Sequence, residues 1–166
     1  MARLVLVGLP GVGKTTLARA LGAHWECAYL DTDELIGLEV GVPAAQYLRD
    51  AGEASFRAKE LGALRVALES DAIVATGAGI VTTSDARELI EHQFTLWLDC
   101  DDATLIERVS EGERPLLGDD HRGAISDLRA RREAWYRSCA RQRVDASGTI
   151  DDVLRRVLEA TSSIAS

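Results

Sequence analysis

The octet GLPGVGKT, Gly8–Thr15, follows the apolar run LVLV and opens the helical pattern KTTLARAL. It fits G-x-x-x-x-G-K-[ST], a loop whose glycines let successive backbone N–H groups point inward at phosphate oxygens. The helix that follows adds its positive N-terminal end to the same anion. A plain glycine-rich turn would need neither the buried strand before it nor the helix after it, so the octet reads as a nucleotide-binding loop. Gly11, Val12, Gly13, Lys14, Thr15 and Thr16 are the candidate nucleotide-binding residues. Lys14 would reach the β- and γ-phosphates, and the Thr15 hydroxyl would ligate Mg²⁺. The loop alone does not separate a GTPase switch, a motor ATPase, a small-molecule kinase and a passive nucleotide binder.

The rest of the chain alternates short apolar runs with helical patterns. Strands are expected at Leu4–Val7, Cys27–Leu30, Ala72–Ala75, Thr95–Leu98 and Gln142–Val144. Helices are expected at Lys14–Leu21, closed by Gly22, at Ser84–Glu91 with Ser84 as N-cap, and at Asp102–Ser110, closed by Gly112. Such alternation predicts an α/β fold, a parallel sheet covered by helices on both faces. Two stretches interrupt it. In Gly37–Ser70, Pro43 starts a helix, Gly52 breaks it and a longer helix follows; Gly112–Gly123 is polar and turn-rich. Ligands of such sheets collect at the carboxyl ends of the strands, where these stretches would form walls and a lid.

Composition narrows the function classes. With 166 residues the chain is read as one domain, and its apolar and charged fractions of 46% and 28% are those of a globular protein. A net charge of −8 argues against a nucleic-acid-binding surface. No apolar stretch approaches the ~18 residues of a membrane span. Cys27, Cys100 and Cys139 are odd in number and widely spaced, as expected of reduced thiols in a cytoplasmic protein.

Three further patterns bear on chemistry. Asp31-Thr32-Asp33 ends the second strand, and two carboxylates there suit a hydrated Mg²⁺ and a proton acceptor for an attacking hydroxyl. A helix cap is the plainer use of one of them. Asp99, at the end of TLWL, is a rival metal carboxylate ranked below Asp31, while Asp101 and Asp102 look like caps of the next helix. Arg57 shares a stripe with Leu61, Leu64 and Leu68, and Arg132 one with Ile125, Leu128, Trp135 and Cys139. A guanidinium on an apolar face needs a carboxylate, a phosphate or a cleft. For Arg57 that partner is either a ligand or a structural neighbour such as Glu60 or Glu53. Arg114, beside Pro115 in the polar stretch, is placed to swing over a phosphate, whereas Arg129, Arg131, Arg137, Arg141 and Arg143 read as a solvated face. In IVATGAG, Gly77 and Gly79 permit close backbone approach to a ligand, or simply a tight turn.

Taken together the set resembles the shikimate kinases. The matching segments are Gly8–Thr15, Asp31–Asp33, the G-E-x-x-F-R-x-x-E of Gly52–Glu60, the glycine turn Gly77–Gly79, the R-P-L-L of Arg114–Leu117 and the R-x-x-x-Y of Arg132–Tyr136. The resemblance implies a three-layer αβα P-loop kinase fold, a five-stranded parallel sheet, a substrate-binding helical insertion near 34–61 and a mobile lid near 111–123. It implies a monomeric enzyme that uses ATP and Mg²⁺ to phosphorylate the 3-hydroxyl of shikimate. By that similarity Asp33 contacts the ring hydroxyls as candidate base, Arg57 and Arg132 hold the carboxylate, and Gly79 helps through its backbone. Lys14 and Arg114 neutralise the moving phosphoryl group, Thr15 and Asp31 organise Mg²⁺, and Arg108 lies against the adenine. One departure is Ala78, where the family carries the middle of three glycines. A kinase for another carboxylated polyol or cyclitol therefore stays open beside shikimate. A GTPase switch is disfavoured because the sequence carries no N-K-x-D guanine-reading stretch.

Overall fold

The computed structural model describes residues 1–111 and 120–162. Five parallel strands, β1 (Leu4–Val7), β2 (Ala28–Asp31), β3 (Ala72–Ala75), β4 (Thr95–Asp99) and β5 (Gln142–Asp145), form one sheet in the order β2-β3-β1-β4-β5. Each residue of β1, β3 and β4 is buried regardless of which face it points to. That explains the unbroken apolar runs: both faces of these strands are covered. The edge strand β5 buries Val144 alone, which is why its sequence, QRVD, carries so little strand signal.

The helices are α1 (Lys14–His24), α2 (Thr32–Val40), α3 (Ala44–Ala51), α4 (Glu53–Glu69), α5 (Ser84–Glu91), α6 (Asp102–Glu111), α7 (His121–Cys139) and α8 (Ile150–Ala160). α1 and α8 pack together with the sheet, while α4, α5 and α7 pack with one another and with β3 and β4. The insertion α2–α3–α4 has its own small core of Ile36, Ala44, Phe56 and Ala63. Pro43 precedes α3 and Gly52, at φ +84°, turns the chain from α3 into α4, as expected. No helix of the described residues is long and apolar enough to cross a membrane. Cys100 and Cys139 are buried, and burial pushes both thiols up to about 11, so they are inert packing groups.

Chain connectivity reverses at β1, which has β3 on one side and β4 on the other. The Gly8–Thr15 loop leaves the carboxyl end of β1, at this switch point, where sheets of this kind bind ligands.

Several expected boundaries are corrected. Thr83, not Ser84, occupies the N-cap of α5, without a side-chain cap. α7 starts at His121, ahead of Gly123, because Asp120 caps it by accepting the Gly123 N–H. α8 has no counterpart in the sequence reading, although Thr149 and Asp152 form a reciprocal capping box at its start. α1 runs through Gly22 to His24. The glycine is there for contact and not for termination, since a Cβ on it would lie 2.9 Å from the Cys27 carbonyl oxygen. Gly22→Ala sets a helix-propensity gain of about 1 kcal/mol against an overpacking cost of about 1–3 kcal/mol. Urea unfolding should therefore show a loss of about 1 kcal/mol in stability; a raised midpoint would show that the Cys27 carbonyl yields freely.

Candidate active site

The loop after β1 is built on three left-handed glycines, Gly8 at φ +153°, Gly11 at +81° and Gly13 at +100°. A Cβ at Gly8 would strike the Leu98 carbonyl oxygen on β4, and one at Gly11 would lie 2.7 Å from Val109 on α6. Val12 is buried and its N–H donates to the Leu9 carbonyl. Lys14, at the start of α1, is buried and donates to the carbonyls of Gly8 (2.8 Å) and Leu9 (3.1 Å), drawing the loop round its ammonium group. Thr16 follows in the first turn and is exposed. Arg108, from α6, donates to the carbonyls of Val12 (3.2 Å), Ala146 (2.9 Å) and Gly148 (3.3 Å), which places it beside the loop as a brace.

Asp31 takes up the plainer of its anticipated uses, the helix cap, and its other oxygen meets Thr15. One carboxylate oxygen accepts the N–H groups of Asp33 (2.8 Å) and Glu34 (3.3 Å), capping α2, and the other accepts the Thr15 hydroxyl at 2.5 Å. The hydroxyl and carboxylate form an oxygen pair suited to a small hard cation held mainly by phosphate and water. Among the described residues no cluster of three or more His, Cys, Asp or Glu could hold a metal ion without such help.

Across from this, the glycine turn after β3 collects the remaining charged groups. The Gly77 N–H donates to the buried Thr32 hydroxyl at 2.9 Å, fixing the turn to the start of α2. A Cβ at Gly77 would lie 2.7 Å from Glu60 and 2.8 Å from Asp33, and one at Gly79 would strike the Arg57 guanidinium. Arg57 reaches Glu60 (2.6 Å) and Glu53 (3.3 Å), so its structural partners are real. Yet Arg57 Nε and Glu60 Oε1 are both buried without a hydrogen-bond partner among the described residues. An unmatched donor and acceptor at one site fit a polar ligand there. The charge of Arg132 bears on both Glu60 and Tyr136, which brings it into the same group. Ala78 does not have a positive φ, so its methyl group strains nothing.

The structure therefore brings Asp33, Arg57, Gly79 and Arg132 together, with Lys14, Thr15 and Asp31 next to them along the carboxyl edge of the sheet. Arg114 lies outside the described residues. Glu60 is the residue sequence reasoning undervalued: it was visible at three positions from Arg57 only as an ion-pair partner, and its near-complete burial was not.

Two expectations are overturned on the opposite flank. Asp99 is no rival metal ligand, because its oxygens are taken by Arg129 at 2.9 Å and Arg143 at 2.8 Å. Arg129 is no solvated residue either: it also binds Asp102 (2.6 Å) and the Cys100 carbonyl (2.6 Å). Of the adjacent acids, Asp101 caps α6 through the Thr104 N–H, whereas Asp102 serves Arg129. Arg137 and Arg143 lie over the Trp97 ring and Arg141 over Phe94, while Arg131 is largely exposed as expected.

A family model described as "Shikimate kinase" matches residues 10–162. The chain belongs to the shikimate kinase family. The shikimate kinase of Corynebacterium jeikeium is 35% identical over 88% of this chain and 80% of its own length. Shikimate kinase 2 of Enterobacter sp. is 33% identical over 95% and 94%. Among solved structures, a shikimate kinase from Acinetobacter baumannii in complex with shikimate superposes with a TM-score of 0.89 at 28% identity, covering 96% of this chain and 92% of that one. A shikimate kinase fold thus carries the residues assembled above.

Burial raises the Glu60 carboxyl from 4.5 to about 7, against the attraction of Arg57 and Arg132 and with help from the like charge of Asp33. A folded-state value above the unfolded one stabilises the fold fully below pH 4.5, and that contribution is lost as pH rises through about 7. The melting temperature of the parent should therefore fall more steeply than that of Glu60→Gln between about pH 5 and about pH 8. Parallel slopes would place the titrating group elsewhere.

Proposed function

We propose that this chain transfers the γ-phosphoryl group of ATP to the 3-hydroxyl of shikimate. The observation that carries the reading is the cluster of Asp33, Arg57, Glu60 and Arg132 around one glycine turn, with two buried polar atoms unmatched among the described residues and the phosphate loop adjacent. Two guanidinium groups suit a carboxylate, since each offers a planar pair of donors. A neutral cyclitol would leave them without a purpose.

In this proposal the acceptor carboxylate lies between Arg57 and Arg132, and the Gly79 backbone supports the ring. Asp33 accepts a hydrogen bond from the attacking hydroxyl and takes its proton as the oxygen bonds to the γ-phosphorus. The bond from that phosphorus to the β–γ bridging oxygen breaks, and ADP leaves with the electron pair. Lys14 stays on the transferring phosphoryl group, where positioning and charge neutralisation supply most of the acceleration. Arg114 completes this neutralisation from the lid, and Arg108 flanks the adenine. Thr15 and Asp31 would hold Mg²⁺, which when bound neutralises charge on the β- and γ-phosphates. The enzyme is proposed to work as a cytoplasmic monomer.

The deciding assay couples ADP release to shikimate, quinate, gluconate and aminoshikimate in turn. Turnover with shikimate above the other acids is expected; turnover with another acid alone would refute the substrate. Asp33→Asn should lower kcat by about 10²-fold or more while nucleotide still binds, and an unchanged kcat would remove Asp33 from proton transfer. Arg57→Ala and Arg132→Ala should act mainly on the acceptor KM, so a normal acceptor KM in both would dismiss the carboxylate clamp.

A further inference from the structure

One contact of the acceptor site takes no part in the chemistry above. Tyr136, on α7, is 1% exposed, and its hydroxyl donates to the Ala78 carbonyl at 2.5 Å, across 58 residues of chain. Ala78 is the middle residue of the glycine turn. Its neighbour Gly77 backs onto Asp33 and Glu60, and its neighbour Gly79 backs onto Arg57. The turn is thus a thin wedge of backbone between the charged groups, and its placement sets theirs.

Each residue of the wedge is tied to something. The Gly77 N–H is held by Thr32 of α2, and the Gly79 carbonyl accepts the Thr82 hydroxyl at 2.7 Å. The Ala78 carbonyl is held by Tyr136, one helical turn after Arg132 on the same face of α7. The first tie fixes the turn to the helix of Asp33, the second is local, and the third joins it to the helix of Arg132. Burial pushes the phenol up to about 12, so the hydroxyl remains a donor throughout the working range. Its ring is fixed by stacking with Trp97 at a centroid distance of 6.2 Å. The Ala78 methyl adds to the restraint, because alanine has fewer backbone conformations than glycine.

We propose that Tyr136 is a positioning residue for the acceptor: by holding the Ala78 carbonyl it fixes the separation between the Arg132 arm and the Gly79–Arg57 arm of the carboxylate clamp. A carboxylate that must meet both arms at once is bound well at one spacing and poorly at others. The inference rests on the reading of the site as one for a carboxylated acceptor, and the Ala78 methyl works with Tyr136 toward the same end.

Tyr136→Phe keeps the ring and removes the hydroxyl. The acceptor KM, and the acceptor Kd by titration calorimetry, should rise roughly tenfold, while the KM for ATP stays at the parent value and kcat changes little. Loss of general structure would instead shift both substrates together, so a parallel rise in the two KM values would overturn the proposal, as would an acceptor Kd equal to the parent's. Ala78→Gly, which leaves α7 intact, should raise the acceptor KM by about threefold alone and by more than that in the Tyr136→Phe background. Simple multiplication of the two effects would count against a shared restraint. The acceptor used is whichever carboxylated compound of the panel the parent phosphorylates. Failure with shikimate but success with quinate would thus end the substrate reading and leave the positioning role to be judged on its own data; no turnover with any of them would end both.

Discussion

A parallel strand pair cannot be closed by a tight turn; each crossover must carry the chain back to the starting edge, usually through a helix. In this molecule that constraint governs where every reactive group lies. With all five strands pointing one way, the phosphate loop after β1, the carboxylates after β2 and the glycine turn after β3 open on one edge. The central position of β1 then puts the phosphate loop where the neighbouring crossovers diverge. The two halves of the site adjoin because the sheet leaves their loops nowhere else to go.

Within that edge, charge and burial pull against each other. Asp31 resolves the conflict by having its oxygens claimed by Thr15 and the start of α2. Asp99 resolves it with two guanidinium groups. Glu60 resolves it incompletely: Arg57 satisfies one oxygen and the other has no partner among the described residues. Among the described residues the cluster at the glycine turn is thus where desolvated charge is least balanced internally, as expected where a ligand supplies the balance.

What could be read from the sequence follows from how local each cause is. β1 and β3 were legible to the residue because burial on both faces forbids polar interruptions. The phosphate loop and the Asp31-Thr32-Asp33 segment were legible because backbone conformation and cap geometry act over a few positions. Arg57 and Arg132 stood out against their apolar stripes for the same reason. Arg129 and Arg143 did not, since their partner Asp99 is 30 and 44 residues away. Their helix and strand neighbours gave no sign of it. Gly22 misled because the helical glycine answers to the Cys27 carbonyl just ahead of β2, a contact beyond the helix. α8 carries local signals, the Thr149–Asp152 box and the spacing of Val153 and Val157, but it follows an edge strand whose sequence gives little sign of a preceding element.

α7 is fastened at two points. Arg129 grips the end of β4, and Tyr136, seven residues later, grips the glycine turn. Seven residues are close to two turns, so both fasteners emerge from nearly the same side, about 10 Å apart along the axis. A rod pinned twice along one line resists both rolling and sliding. Arg132 lies between the pins, so its place on the helix is set by both of them. A helix held in this way presents Arg132 from a fixed post, and the post cannot turn to follow whatever the side chain meets.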